Sequence, residues 1–110
     1  TEIYTLIKTL TDNAIRYTPK GGRIDLGFDE TAEYLNIWVE DNGPGIPPNE
    51  RQRVIDPFYR ILGTEQQGTG LGLSIADTIV KRHQGRLKLA DSRRFDSGLL
   101  IIAELDKKTL

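Results

Sequence analysis

The chain of 110 residues has no cysteine, which excludes a disulfide framework and any metal site built from thiolates. It also has no long apolar run, so the sequence offers no segment that could span a membrane. No charge of one sign dominates, because 15 Lys and Arg oppose 16 Asp and Glu and leave a formal net charge of −1. This balance gives no bulk attraction to nucleic acid or to a membrane surface, and we expect neither as a partner. The length predicts one domain covering residues 1–110.

The spacing of the apolar residues predicts both helices and strands. Spacings of three and four predict a first helix of about 15 residues and another from Leu71 to Val80, with a short helix over 49–55 between them. Alternating apolar residues predict a half-buried hairpin over 24–28 and 35–39, and later strands near 87–89 and 99–105. The prediction is an α/β two-layer sandwich with helices on one face of a mixed, mostly antiparallel sheet. Because the chain opens on a helical pattern, we also expect it to be a fragment of a longer protein.

The first motif with chemical content is "DNAIRYTP", residues 12–19, at the end of the first predicted helix. Asn13, Arg16 and Tyr17 stand at i, i+3 and i+4, so they project from one helical face. An amide oxygen, a guanidinium and an aromatic ring on one face suit a metal ion, a phosphate and a flat base. A solvated helix end remains the alternative for this motif taken alone.

A second motif, "DNGPGI" at residues 41–46, follows directly after an apolar strand. Gly43 and Gly45 remove side chains where a ligand could lie against the backbone. Asp41 offers a carboxylate acceptor, which suits an exocyclic amino group. The alternative is a simple turn that ends the strand, for which this composition is also favourable.

Two further motifs lie later in the chain. "DPFYRILG", residues 56–63, places Phe58, Tyr59 and Arg60 at the start of a segment without periodicity. "GTGLGLSIAD", residues 68–77, leads alternating glycines into a helix that begins near Leu71, where free amides favour an anion. No Lys follows these glycines and no strand precedes them, which excludes a P-loop and a dinucleotide-binding fingerprint.

Together the four motifs resemble the N, G1, F and G2 boxes of the ATP-binding catalytic domain of sensor histidine kinases, from about Leu6 to Leu105. The resemblance implies an ATP lid loop between the two later helices. It implies that Asn13 coordinates Mg²⁺ and acts in catalysis with Arg16 and Arg60, which contact the phosphates. It implies that the nucleotide is bound by Asn13, Arg16, Tyr17, Asp41, Gly43, Gly45, Ile46, Phe58, Gly68, Thr69, Gly70, Leu71 and Gly72.

The resemblance further implies that the domain binds Mg·ATP and donates the γ-phosphoryl group to a histidine on a dimerisation domain of the same protein. The complete protein would then be a homodimer that acts on a response regulator, with this domain on the cytoplasmic side of an inner-membrane sensor. Two alternatives stay open: a serine-protein kinase of the anti-sigma type, and a nucleotide-binding regulatory module without phosphoryl transfer.

The sequence departs from the family pattern at three places. Thr9 stands where the family has an Asn or a water-activating Glu, so no general base for hydrolysis is present there. Leu99 stands where a Thr usually follows the glycine, and we expect Ser97 to replace that hydroxyl only if the backbone shifts. Gln84 follows His83 where the family has a glycine, and His83 itself is expected to cap or pack locally.

The side chains of Trp38 and Glu40 are predicted to lie on the sheet face opposite the apolar residues of their strand. A partner surface and a lone surface aromatic both remain open there.

Overall fold

Two helices packed on one face of a four-stranded sheet make up the described part of the chain, residues 2–55 and 72–110 of this computed structural model. The helices and strands follow in the order α1 (Glu2–Tyr17), β1 (Ile24–Glu30), β2 (Tyr34–Asp41), α2 (Gly72–Arg82), β3 (Arg86–Asp91) and β4 (Leu99–Asp106). Single 3₁₀ turns lie at Pro48–Glu50, Arg53–Ile55 and Lys107–Thr109. The predicted α/β two-layer sandwich is confirmed.

The strands lie in the order β1-β2-β4-β3, and each described pairing is antiparallel. The register pairs Val39 with Ile101 and Glu40 with Leu100. The end of β2 at Asp41 therefore comes next to the beginning of β4 at Leu99. These two positions are distant in sequence, and the sheet brings them side by side at one end of its two central strands.

The core lies between the helices and the sheet. The apolar stripes of α1 and α2 pack on the inward-facing residues of the two central strands. These alternate with residues on the opposite face, on which no described helix packs and which is called the helix-free face below. The buried cluster consists of Leu6, Leu10, Ala14, Ile37, Val39, Leu73, Ala76, Ile79, Val80, Leu99, Ile101, Ala103 and Leu105. This cluster anchors both the end of α1 and the end of β2.

Strand β1 forms where the alternation predicts it, but two of its apolar side chains are not half-buried. Leu26 is 53% exposed and Phe28 is 71% exposed. Both pair with core residues of β2, Val39 and Ile37, so they lie on the helix side of the sheet. Since β1 lies at one edge of the described sheet, the helices that cover the central strands do not reach these two side chains.

The short helix predicted over 49–55 is replaced by two separate 3₁₀ turns. Pro48 occupies the first position of the first turn, where a missing amide is tolerated. The side chain of Arg51 turns back to donate from Nε to the carbonyl of Ile46 at 3.0 Å. The predicted lid lies outside the described residues.

Neither helix among the described residues has the length and apolar character needed to cross a membrane.

Candidate functional site

The end of α1 carries polar groups that have no partner within residues 2–55 and 72–110. Asn13 is only 7% exposed, and no described residue makes a hydrogen bond to its side-chain amide. The hydroxyl of Thr18, just past the helix, is buried and likewise has no partner among the described residues. Leaving the buried Thr18 hydroxyl unpaired costs about 1–3 kcal/mol. The pair of groups is therefore suited to a ligand that supplies the missing interactions.

Asp41 ends β2 with a carboxylate that is only 4% exposed. Its Oδ1 accepts hydrogen bonds from the amides of Gly43 at 2.9 Å and Leu99 at 3.3 Å. Burial raises the pKa of the Asp41 carboxyl above its ordinary value; the two amides only partly offset this, and the nearby charge of Glu40 adds to it. Since no described residue donates to Oδ2, that oxygen is left to accept a hydrogen bond from a ligand.

Glycines let three segments of the chain meet beside Asp41. A Cβ on Gly43 would lie 2.8 Å from the carbonyl oxygen of Tyr17, so the loop after β2 touches the end of α1. Gly98, with φ of +132°, has no room for a Cβ, which would overlap the carbonyl oxygen of Asp41. Gly45, with φ of +76°, lies against the carbonyl of Gly98. The end of α1, the loop after β2 and the start of β4 thus form one site.

A family model described as histidine kinase-, DNA gyrase B-, and HSP90-like ATPase matches residues 1–109, nearly the whole chain. The chain belongs to this family. Sensor histidine kinase RppB of Synechocystis sp. is similar to it, with 38% identity over 89 residues, which are 78% of this chain and 20% of RppB. Sensor histidine kinase CpxA of Escherichia coli K12 is 35% identical over 106 residues, 94% of this chain and 23% of CpxA. The chain spans about a fifth of the length of these relatives.

Solved structures of the family share the fold. The mycobacterial sensor histidine kinase MprB aligns with a TM-score of 0.83 and 30% identity, covering 96% of this chain and 70% of that one. A nucleotide-free catalytic domain of histidine kinase ThkA aligns with a TM-score of 0.81 and 29% identity, covering 96% and 67%. The resemblance drawn from the four motifs is confirmed, and membership in this ATPase family assigns ATP binding to the domain in general terms.

The structure describes about half of the predicted site. The segments that carry the first two motifs meet where Gly43 lies against the carbonyl of Tyr17. The described residues of these motifs are Asn13, Arg16, Tyr17, Asp41, Gly43, Gly45 and Ile46. Gly72 is the first residue of α2. The predictions for Phe58, Tyr59, Arg60, Gly68, Thr69, Gly70 and Leu71 lie outside the described residues. The role of each of these residues toward a nucleotide stays a prediction.

The departures from the family pattern have local explanations. The hydroxyl of Ser97 donates to the carbonyl of Gly43 at 3.1 Å, so a hydroxyl lies beside the site although Leu99 has none. The backbone amide of Leu99 donates to Asp41 instead. The sequence did not predict this hydrogen bond, because nearly every residue type has a backbone N–H. The glycine directly before the last strand was the one available signal. The hydroxyl of Thr9 donates to the carbonyl of Leu6 at 3.0 Å, within its own helix.

His83, directly after α2, packs at the helix end as predicted, but its ring contacts residues that are distant in sequence. Its Nδ1 lies 2.6 Å from Oγ1 of Thr109 and its Nε2 lies 2.9 Å from Oε2 of Glu2. It therefore joins the end of α2 to the start of α1 and to the last turn of the chain. Gln84, which follows it, has φ of +55°, the left-handed conformation for which glycine is the more usual residue.

The residues at the site fit a magnesium ion held chiefly by a nucleotide. Within residues 2–55 and 72–110, no three His, Asp or Glu side chains are grouped to hold a metal ion by themselves. Mg²⁺ in nucleotide sites commonly needs only one or two protein oxygens, because phosphates and water supply the rest. The side-chain amide oxygen of Asn13, a residue that is only 7% exposed, is such a hard ligand.

Proposed function

We propose that the domain binds Mg·ATP where the end of α1, the loop after β2 and the start of β4 meet. One observation carries the proposal: two buried polar side chains, Asn13 and Asp41, each keep an oxygen without a partner among the described residues. The backbone contact between Tyr17 and Gly43 joins the segments that carry them. Polar atoms that buried residues leave without a protein partner, beside a loop with closely packed glycines, are typical of a binding site.

The side chains take distinct roles toward the nucleotide. Oδ2 of Asp41 accepts a hydrogen bond from the 6-amino group of adenine, while Gly43 and Gly45 leave space for the ring. Tyr17 packs beside the nucleotide, and its neighbour Arg16 contacts phosphate. Asn13 holds Mg²⁺, which when bound neutralises charge on the phosphate oxygens.

The remaining phosphate contacts come from the segment outside the described residues. We assign them to Arg60 and to the glycine-rich stretch that leads into α2. The beginning of α2 at Gly72 favours an anion, because the positive end of the helix dipole lies there. Phosphoryl transfer needs such positioning and charge neutralisation more than covalent help from the protein.

We further propose that the bound ATP donates its γ-phosphoryl group to a histidine of a dimerisation domain in the same protein. The bond from the γ-phosphorus to the bridging oxygen breaks, a P–N bond to the imidazole forms, and ADP leaves. Thr9 supplies no carboxylate that could activate water, which favours transfer over hydrolysis. The names of RppB and CpxA, both sensor histidine kinases, support this reading. In such a sensor the domain is cytoplasmic, and a response regulator receives the phosphoryl group.

Isothermal titration with ATP tests the binding proposal. The wild-type domain should bind ATP more tightly with Mg²⁺ than with EDTA, and Asn13→Ala should remove most of that difference. Asn36→Ala is the matched control, because Asn36 binds Asp29 on the helix-free face of the sheet. An Asn13→Ala variant that keeps the full dependence on Mg²⁺ would show that the metal assignment is wrong.

Phosphoryl transfer is tested in the full-length protein with γ-labelled ATP. Acid-labile label on a histidine outside this domain is the expected result. Label on serine of a separate protein would favour the anti-sigma type of kinase, and binding without any label would favour a regulatory module.

A further inference from the structure

Glu40, the neighbour of Asp41 in β2, carries a buried carboxylate on the helix-free face of the sheet. It is only 3% exposed. Its Oε2 accepts three hydrogen bonds from the turn after β3: from Oγ of Ser92 at 2.7 Å, and from the amides of Arg93 at 2.6 Å and Arg94 at 3.0 Å. Burial would raise the pKa of Glu40, but these hydrogen bonds outweigh it and hold that pKa below its ordinary value. One carboxylate thus holds the beginning of the β3–β4 turn, residues 92–98.

Arg94 closes over this carboxylate and ties the turn to two strands. Its guanidinium lies 4.9 Å from the ring centroid of Trp38 and its Nε is 3.6 Å from Oε1 of Glu40. Its NH1 donates to Asp25 of β1 at 3.0 Å. The guanidinium of Arg94 therefore stacks on the ring of Trp38. Two interactions therefore fix the turn: the hydrogen bonds to the buried Glu40 carboxylate, and the stacking of the Arg94 guanidinium on Trp38.

The other end of the same turn forms a wall of the nucleotide site. Ser97 donates to the carbonyl of Gly43, Gly98 packs on the backbone of Asp41, and the amide of Leu99 donates to Oδ1 of Asp41. Neighbouring residues of a strand point to opposite faces. Glu40 therefore fixes the turn on one face of the sheet. The end of the turn orients the Asp41 carboxylate at the end of β2.

We propose that Glu40 is a positioning residue for purine recognition. By fixing the turn over 92–98, it keeps the amide of Leu99 on Oδ1 of Asp41, so that Oδ2 faces the 6-amino group of the base. The proposal rests on the proposed nucleotide function of Asp41. It predicts that the loss of the Glu40 charge changes which purine is preferred, not only how tightly nucleotides bind.

The test compares Glu40→Gln with wild type by titration with Mg·ATP and with Mg·ITP, in which inosine carries an oxygen in place of the 6-amino group. Glutamine keeps the shape and one oxygen for the three donors, but it removes the negative charge that strengthens those hydrogen bonds and puts an NH₂ group where Oε1 faces Arg94. We expect the preference for ATP over ITP to fall about 10-fold, the equivalent of about one net hydrogen bond. Glu104→Gln is the control, because Glu104 lies on the same face and pairs with Lys88 at 3.2 Å, away from the turn.

If the role of Glu40 were purely structural, Glu40→Gln would lower the affinities for ATP and ITP by the same factor. An unchanged ratio of the two affinities in Glu40→Gln would therefore overturn the proposal. Amide hydrogen exchange at Leu99, measured without nucleotide, separates this proposal from the proposed function. Exchange should be faster in Glu40→Gln and unchanged in Glu104→Gln, and equal rates in both would refute the positioning role even if ATP does not bind.

If Glu40→Gln does not fold, Ser92→Ala gives a milder test. It removes one of the three donors and leaves both amides in place. In Ser92→Ala the preference for ATP over ITP should fall and the amide exchange at Leu99 should be faster, as in Glu40→Gln but by a smaller factor. No change in either quantity would count against the proposal.

Discussion

Replacing Gly98 by alanine should damage both the stability of the domain and its site. Gly98 has φ of +132°, a conformation that residues with a Cβ rarely adopt. The added methyl group would also overlap the carbonyl oxygen of Asp41. That oxygen belongs to the backbone at a sheet edge, so neither partner can turn away as a flexible side chain would.

Gly21 separates the two contributions. It also has a positive φ, of +84°, but a Cβ placed there would meet nothing within 4 Å. Gly21→Ala should therefore lower the free energy of unfolding only by the backbone penalty, about 1–2 kcal/mol. Gly98→Ala adds an overpacking cost of about 1–3 kcal/mol. The expected total loss for Gly98→Ala is about 2–5 kcal/mol.

Urea unfolding followed by the fluorescence of Trp38, the single tryptophan, measures both losses. Equal slopes against urea would show that the unfolded states are comparable. The affinity for Mg·ATP, measured where both variants are folded, should fall more for Gly98→Ala, because the displaced turn carries the Leu99 amide away from Asp41. Equal losses of stability in the two variants would show that contact with the Asp41 carbonyl adds no cost at position 98.

Two further predictions concern the carboxylates. Asp41→Asn keeps an oxygen for the amides of Gly43 and Leu99 and turns an NH₂ group toward the base. Titration should show an ATP affinity about 10- to 100-fold lower and a shift of preference toward ITP; an unchanged preference would contradict the assignment. The pKa of Glu40 lies below its ordinary value of 4.5, so its contribution to stability is complete above that value and is lost as the pH falls through the lower, folded-state pKa. Urea unfolding at a series of acidic pH values should therefore show a smaller loss for Glu40→Gln than for wild type, and parallel curves would contradict this.

The sequence alone determined the elements of the fold and the family. Helices and strands follow from the spacing of apolar residues, which is a property of neighbours along the chain, and both helices and the four described strands lie where that spacing predicts them. The motif containing Asn13 and the motif containing Asp41 could likewise be recognised, because their chemistry lies in contiguous residues.

Tertiary structure decided how those residues are used. The amide of Leu99 reaches Asp41 across 58 positions of sequence, and a backbone N–H is the same in every residue but proline, so no pattern marks it. Leu26 and Phe28 alternate as buried residues do, yet they are exposed, because burial depends on which layer covers a strand and β1 lies at the edge. Glutamate is usually exposed, so the sequence predicts a solvated side chain at position 40. The turn over residues 92–98 buries Glu40 and donates three hydrogen bonds to its carboxylate.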